Sequence, residues 1–244
     1  MMVRKILNEK KMAQKDKIVW RSHEPHRIEA FSDAVFAFAV SLLVISLEVP
    51  KSSTELLQSM KGFFPFVCCF AIIFYIWYEQ YIFFRRFGLH DTATMFLNAA
   101  LIIVVLFYVY PLKFVFNLWL IRNGTIDFEH DLVPLLCVYH GGFTGIYLLF
   151  TAMYHNAYKK RERLQLTPVE VFETRTAYFS FLGITLVGVL LLLITIFSGK
   201  YAFISTTFYG VIGIVMSVVT GKRAKLFRKK FGDVPMDEPH LGEE

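Results

Sequence analysis

Most of what an enzyme or a secreted domain needs is missing from this sequence. Only three of its 244 residues are cysteine, and Cys68, Cys69 and Cys137 all lie inside long apolar runs. They read as small buried hydrophobes, which excludes a disulfide-stapled scaffold. There is no Gly-x-x-x-x-Gly-Lys phosphate loop, no His-Glu-x-x-His and no Gly-x-Ser-x-Gly, and each is the signature of a particular chemistry. With no nucleophile and base pair in view, the chain is not expected to be an enzyme, and no cofactor is called for. His140 and His155 lack a second ligand at helical spacing, so no metal is expected there. No span carries Arg or Lys at every third position, which excludes a voltage-sensing helix. Nor does an apolar run of roughly 7 to 15 residues follow the first basic residues, so a cleaved signal peptide is not expected.

What is present is apolar surface. The chain is 55% hydrophobic and 17% aromatic, with a mean hydropathy of +0.48, and its apolar residues fall in blocks of about 20, the length of a bilayer-spanning helix. Spans are predicted at 28–49, 62–84, 94–120, 133–156, 176–197 and 201–220. The fold class is therefore an all-α integral membrane protein with six transmembrane helices per chain. Residues 1–24 read as a cytoplasmic arm with Trp20 at headgroup level, 25–221 as the membrane domain, and 222–244 as a basic then acidic cytoplasmic tail.

Orientation follows from Lys and Arg. The segments sharing one side of a six-span chain carry twenty-one of them, against four on the other. Both termini are thus expected to be cytoplasmic, in the cell membrane. The basic loops and tail suit anionic lipid headgroups, so the net charge of +6 calls for no nucleic acid.

Along the chain, the aromatic run Trp77, Tyr78, Tyr81, Phe83 and Phe84 before Arg85 and Arg86 has the composition of a membrane-interface belt. Asn98 and Pro111 in the third span read as packing devices. Gly141, Gly142, Thr144 and Gly145, then Gly183, Gly188, Gly210 and Gly213, suit close helix–helix approach. Asp127, Glu129 and Asp131 form a solvated acidic patch.

The first span does not suit lipid. Arg27, Glu29, Asp33 and a row of serines interrupt it, and ionisable groups at membrane depth cost about 2.5 to 3.5 kcal/mol each on insertion scales. At 100° per residue, Arg27, Phe31, Ala34, Phe38, Ser41, Leu42, Ile45 and Glu48 share a stripe about 120° wide. Asp33 projects away from that stripe, into packed neighbours, where it must be paired.

Arg27-x-x-x-Phe31-Ser32-Asp33, followed by Ala34-Val35-Phe36-Ala37 and the Ser41-Leu42-Leu43-Val44 run to Pro50, resembles the first helix of the transmembrane protein 175 family of potassium channels. Trp77, Asn98 and Pro111 stand at similar positions. The resemblance implies a homotetramer of single six-helix repeats, with each first helix lining a central pore for potassium ions and no other cofactor. It places pore and gate rings on Phe38, Leu42 and Ile45 and a selectivity hydroxyl on Ser41. It gives Arg27, Phe31, Ser32 and Asp33 a structural role, supported by Gln80 and Asn98. Filtering there relies on apolar side chains, so selectivity for potassium is modest and proton passage is compatible with it. Two positions depart from the pattern: Phe38 stands where Ile or Leu is expected, and Gln80 where a histidine is. A proton-coupled secondary transporter and a non-conducting structural or regulatory protein of channel-like fold stay open as alternatives.

Overall fold

The structure, a computed structural model, describes residues 20–21, 26–45, 52–54, 57, 60, 62–121, 132–198, 221, 223 and 225–226, with the side chains at 45, 118–121 and 198 excepted. Among them run five long helices: α1 Arg27–Ile45, α2 Phe63–Phe87, α3 Thr92–Ile121, α4 Leu132–Lys159 and α5 Pro168–Ser198. The last four of these are long and apolar enough to cross a membrane. The expected sixth span, Gly210 and Gly213, the acidic patch, Glu48, the 1–24 arm apart from Trp20 and Arg21, and most of the tail lie outside the described residues.

Two helix ends differ from expectation, each for a local reason. Helix α2 runs on to Phe87 because Gly88 closes it in the left-handed region at φ 55°, its N–H donating to the Phe84 carbonyl at 2.8 Å. That conformation favours glycine. The added turn carries Phe83, Phe84 and Phe87 into the core, with Phe83 and Phe87 edge-on to Tyr154 at 5.3 and 5.7 Å. Part of the supposed interface belt is therefore core.

Helix α5 starts at Pro168, well before 176. Thr167 and Glu170 form a reciprocal cap, the Thr167 N–H donating to Oε2 of Glu170 at 2.8 Å and the Glu170 N–H to Oγ1 of Thr167 at 3.2 Å. Proline fits the first turn, where its missing N–H is no loss. The same buried Glu170 accepts both arms of Arg21 at 2.8 Å, and Arg21 further donates to the carbonyls of Leu164 at 3.1 Å and Arg86 at 3.3 Å. The end of the predicted cytoplasmic arm is thus tied to α2 and α5. Such a bidentate guanidinium–carboxylate pair is shorter and stronger than a neutral hydrogen bond.

Asp91 performs the corresponding task for α3. Its carboxylate accepts from Oγ1 of Thr94 at 2.9 Å and pairs with Lys160 at 2.5 Å. Burial alone would raise its pKa, but Lys160 and Thr94 outweigh that and hold it at about 2.

The helices pack in sequence, α5 on α4, α4 on α3, and α1 against both α2 and α3. Two glycines set the closest approaches. A side chain at Gly188 would meet Oγ1 of Thr144 at 2.5 Å, and one at Gly142 would run into the Tyr108 ring. Gly141 and Gly183 meet nothing within 4 Å, so the glycine-rich stretch is only partly a packing device.

Candidate functional site

Helix α1 has two faces of different character. Glu29, Ser32, Phe36, Ala39 and Leu43 are buried, at the alternating spacing of three and four that keeps residues on one side of a helix. On the other side Arg27, Phe31, Ala34, Phe38 and Ser41 are exposed, with Phe31 at 61% and Phe38 at 54%. Leu42 differs from its expected place in that row. It is half-buried and packs against the core, so it flanks the exposed stripe. The physical reason is angular: Leu42 follows Ser41 by 100° and turns back towards its neighbours. The Ile45 side chain lies outside the described residues, but its position in the helix continues the Phe38 row.

The buried face is held by side-chain hydrogen bonds. Asn98 on α3 donates from Nδ2 to Oγ of Ser32 at 2.8 Å and accepts at Oδ1 from Nε2 of Gln80 on α2 at 2.5 Å. Ser32 in turn donates to the Ile28 carbonyl at 2.8 Å. One amide therefore joins three helices. All three of these side chains are buried, where an unpaired polar group costs about 1–3 kcal/mol, so each member depends on the others.

Asp33 is placed differently from expectation. It is exposed and not packed among neighbours, but its Oδ1 accepts from Nε1 of Trp77 at 2.7 Å. The two line a crevice of about 190 Å³ with Glu29, Gln80, Tyr81, Phe84 and Arg85. A more apolar groove of about 350 Å³ continues from it between α1 and α2, lined by Phe36, Val40, Phe70 and Phe74 among others. Arg27 and Phe31 are exposed and outside this network.

One contributor went unread in the sequence. Lys113 on α3 donates from Nζ to the Leu43 carbonyl at 3.3 Å, near the C-terminal end of α1, where unsatisfied carbonyls make the helix negative. Its signal was available, since it is the single Lys or Arg within the third span. At Ser41 the hydroxyl donates back to the Ala37 carbonyl at 3.0 Å, so its oxygen keeps acceptor capacity on an exposed residue.

Helix α1 thus presents outward a row of one arginine, two phenylalanines, an alanine and a serine, braced from behind by hydrogen bonds. The outward faces of the other helices carry large apolar groups such as Phe96, Ile103 and Phe107 on α3 and Leu186, Leu190 and Phe197 on α5, which suit lipid.

The chain is similar to known potassium channels. Residues 27–109 match the family model described as the endosomal/lysosomal potassium channel TMEM175. A potassium channel of Marivirga tractuosa is 40% identical over 190 residues, covering 72% of this chain and 77% of that one. A potassium channel of Chamaesiphon minutus is 28% identical over 142 residues, covering 55% of this chain and 66% of that one. In solved structures, a variant of the potassium channel MtTMEM175, crystallised with a nanobody–MBP fusion protein, superposes with a TM-score of 0.73 at 34% identity. That match covers 87% of this chain and 97% of the other.

Proposed function

The chain belongs to the TMEM175 family, and from that premise we propose that this multi-pass membrane protein is a potassium channel whose pore is walled by α1. Four copies assemble about a central axis, each turning the Arg27, Phe31, Ala34, Phe38 and Ser41 row inward. The observation that supports this most is the exposure of Phe38 and Ser41 on a helix whose opposite face is pinned to two others. A face with a serine hydroxyl and flanking charges is a poor neighbour for lipid, whereas a shared aqueous path suits it.

The mechanism follows from the side chains. A ring of four apolar groups cannot replace an ion's water, so ions pass only when the constriction widens and wets, or when they shed part of their hydration. Potassium holds its water less tightly than sodium and loses less, which yields modest selectivity and leaves protons a path. Phe38, with Leu42 and Ile45 beside it, forms the gate; Ser41 returns part of the lost hydration. Arg27, Phe31, Ser32 and Asp33 belong to the structural motif, and Gln80 and Asn98 support Ser32. Both termini face the cytoplasm of the cell membrane, with the basic loops and tail on anionic lipid.

Four phenylalanines at the narrowest ring favour one second reading, a channel-like protein that conducts poorly or not at all. Potassium flux from liposomes reconstituted with the purified chain separates the two. Phe38→Ala is expected to raise the flux several-fold, with unitary currents under opposed potassium and sodium gradients. Unchanged flux with Ala at both Phe38 and Ile45 removes α1 from the pore wall. No flux in any variant supports the inert protein, and flux without unitary currents a carrier.

A further inference from the structure

A cluster at the start of α1 is not used by the pore reading. Just before the helix, His26 stacks its ring on His90 of the α2–α3 loop, with centroids 3.6 Å apart and planes 18° from parallel. Glu29, one turn into α1, brings Oε1 to 3.6 Å from Nδ1 of His26 and 3.8 Å from Nε2 of His90. Both separations are too long for good hydrogen bonds. They lie close to the ~3.3 Å edge of a tetrahedron built on metal–ligand bonds of about 2.05 Å. One ligand atom from each of the three residues falls within 4.8 Å of the others. Because the two rings stack nearly parallel, their nitrogen lone pairs do not yet converge, and the exposed His26 swings out of the stack for both rings to face one ion.

Three further observations point to a ligand. Among the described residues neither ring nitrogen of His90 has a hydrogen-bond partner, although both are buried, and an imidazole in that state is an available donor. Its ring is also held in place from the Phe84 side, lying parallel to that ring at 6.1 Å, so that His26 is the ring that turns. Finally, the crevice beside Asp33 and Trp77 reaches Glu29, which supplies the entry path a metal site requires.

We propose that His26, Glu29 and His90 bind a divalent transition-metal ion, one per chain. Two imidazoles and a carboxylate with a fourth position open to water form a donor set that zinc favours, while magnesium and calcium favour oxygen-only sites. A bound ion would clamp the start of α1 to the α2–α3 loop.

The test reads metal and not ion flux, and its outcome is separate from that of the channel reading. The full-length chain, untagged, stripped with chelator and purified in detergent, is titrated with zinc chloride against a chromophoric chelator. Saturation at one zinc per chain is expected, with a rise in thermal midpoint that magnesium does not reproduce. His26→Ala and His90→Gln should each weaken binding at least tenfold and abolish the midpoint rise. His26 is exposed, so its variant should keep the zinc-free midpoint of the parent chain and carries the test even if the His90 variant folds badly. Zinc binding that is absent, or unchanged by His26→Ala, overturns the proposal.

Discussion

Helix α1 and the α4–α5 pair are held by different forces. Between α4 and α5 the contact is mostly shape: Gly188 lets Thr144 approach, and Tyr147, Phe150 and Tyr154 meet Phe181 with ring centroids 5.2 to 6.1 Å apart. One hydroxyl pair, Thr151 with Thr185 at 3.3 Å, adds a polar link. Helix α1 also buries Phe36, Ala39 and Leu43, but what fixes its rotation is polar, namely Ser32 on Asn98, Asp33 on Trp77, and Leu43 on Lys113. Dispersion contacts are many and individually small, whereas hydrogen bonds are few and directional. A helix set by three or four directional contacts can be displaced by losing one of them, while a densely packed pair resists as a unit.

The largest effect is expected where shape does most of the holding. Gly188→Leu forces a branched side chain onto Thr144, whose Oγ1 already lies 2.5 Å from where Cβ would sit. Overpacking of this kind costs about 1–3 kcal/mol, or a fall in thermal midpoint on the order of 2–10 °C for a chain this long. Gly183→Leu on the same helix is the control. Among the described residues it meets nothing within 4 Å, and it should change stability by less than about 0.5 kcal/mol. Differential scanning fluorimetry of both in detergent checks the pair. Equal losses would mean that the Gly188–Thr144 contact is not what sets the cost, since the better helix propensity of leucine favours both variants alike.

How far these regions were legible in the sequence follows from the same distinction. Apolar blocks of membrane length announce α2 to α5, because span length depends only on bilayer thickness and rise per residue. Their ends were legible only where a local motif was weighed. Thr167-Pro168-x-Glu170 is written as a capping box, yet a hydropathy reading started that span at 176. Arg21 was counted as a topology charge, because nothing in sequence tells a loop cation from one whose carboxylate partner lies 149 positions away. The small face of α1 was readable from periodicity. That Asn98 would join Ser32 to Gln80 was not, since it depends on the rotation of three helices at once. Leu42 shows the resolution of a helical wheel: at a stripe's edge, one residue's 100° decides between row and flank.

A medium effect is expected from the three-helix amide. Asn98→Leu leaves the Gln80 amide buried without its acceptor, a loss of roughly 1–2 kcal/mol in the range for unsatisfied buried groups. The comparison predicts where that loss appears. Hydrogen exchange, followed by mass spectrometry, should quicken in α1 and leave α4 and α5 protected, because the contact lies wholly among α1, α2 and α3. Equal loosening of all five helices would show that α1 is part of one cooperative unit with the scaffold, and the distinction between the two regions would fail.

The smallest effect separates a lone chain from an assembly. Trp77→Phe removes the N–H that Asp33 accepts at 2.7 Å while keeping an aromatic ring on Phe74 and Tyr81. In the isolated chain Asp33 is exposed, so water replaces the lost donor and the cost stays below about 1 kcal/mol. If a neighbouring subunit covers this end of the helix in the proposed tetramer, water is a poorer substitute there. The substitution should then cost more in the assembled protein than in chains dissociated by harsher detergent. The check is the thermal midpoint of parent and variant in both states. A difference confined to the assembly places Asp33 at a subunit boundary, so that Trp77 orients a charge at the pore-side seam. An equal and small loss in both states leaves Asp33 facing water in either, and then only Ser32, Asn98 and Gln80 fix the rotation of α1.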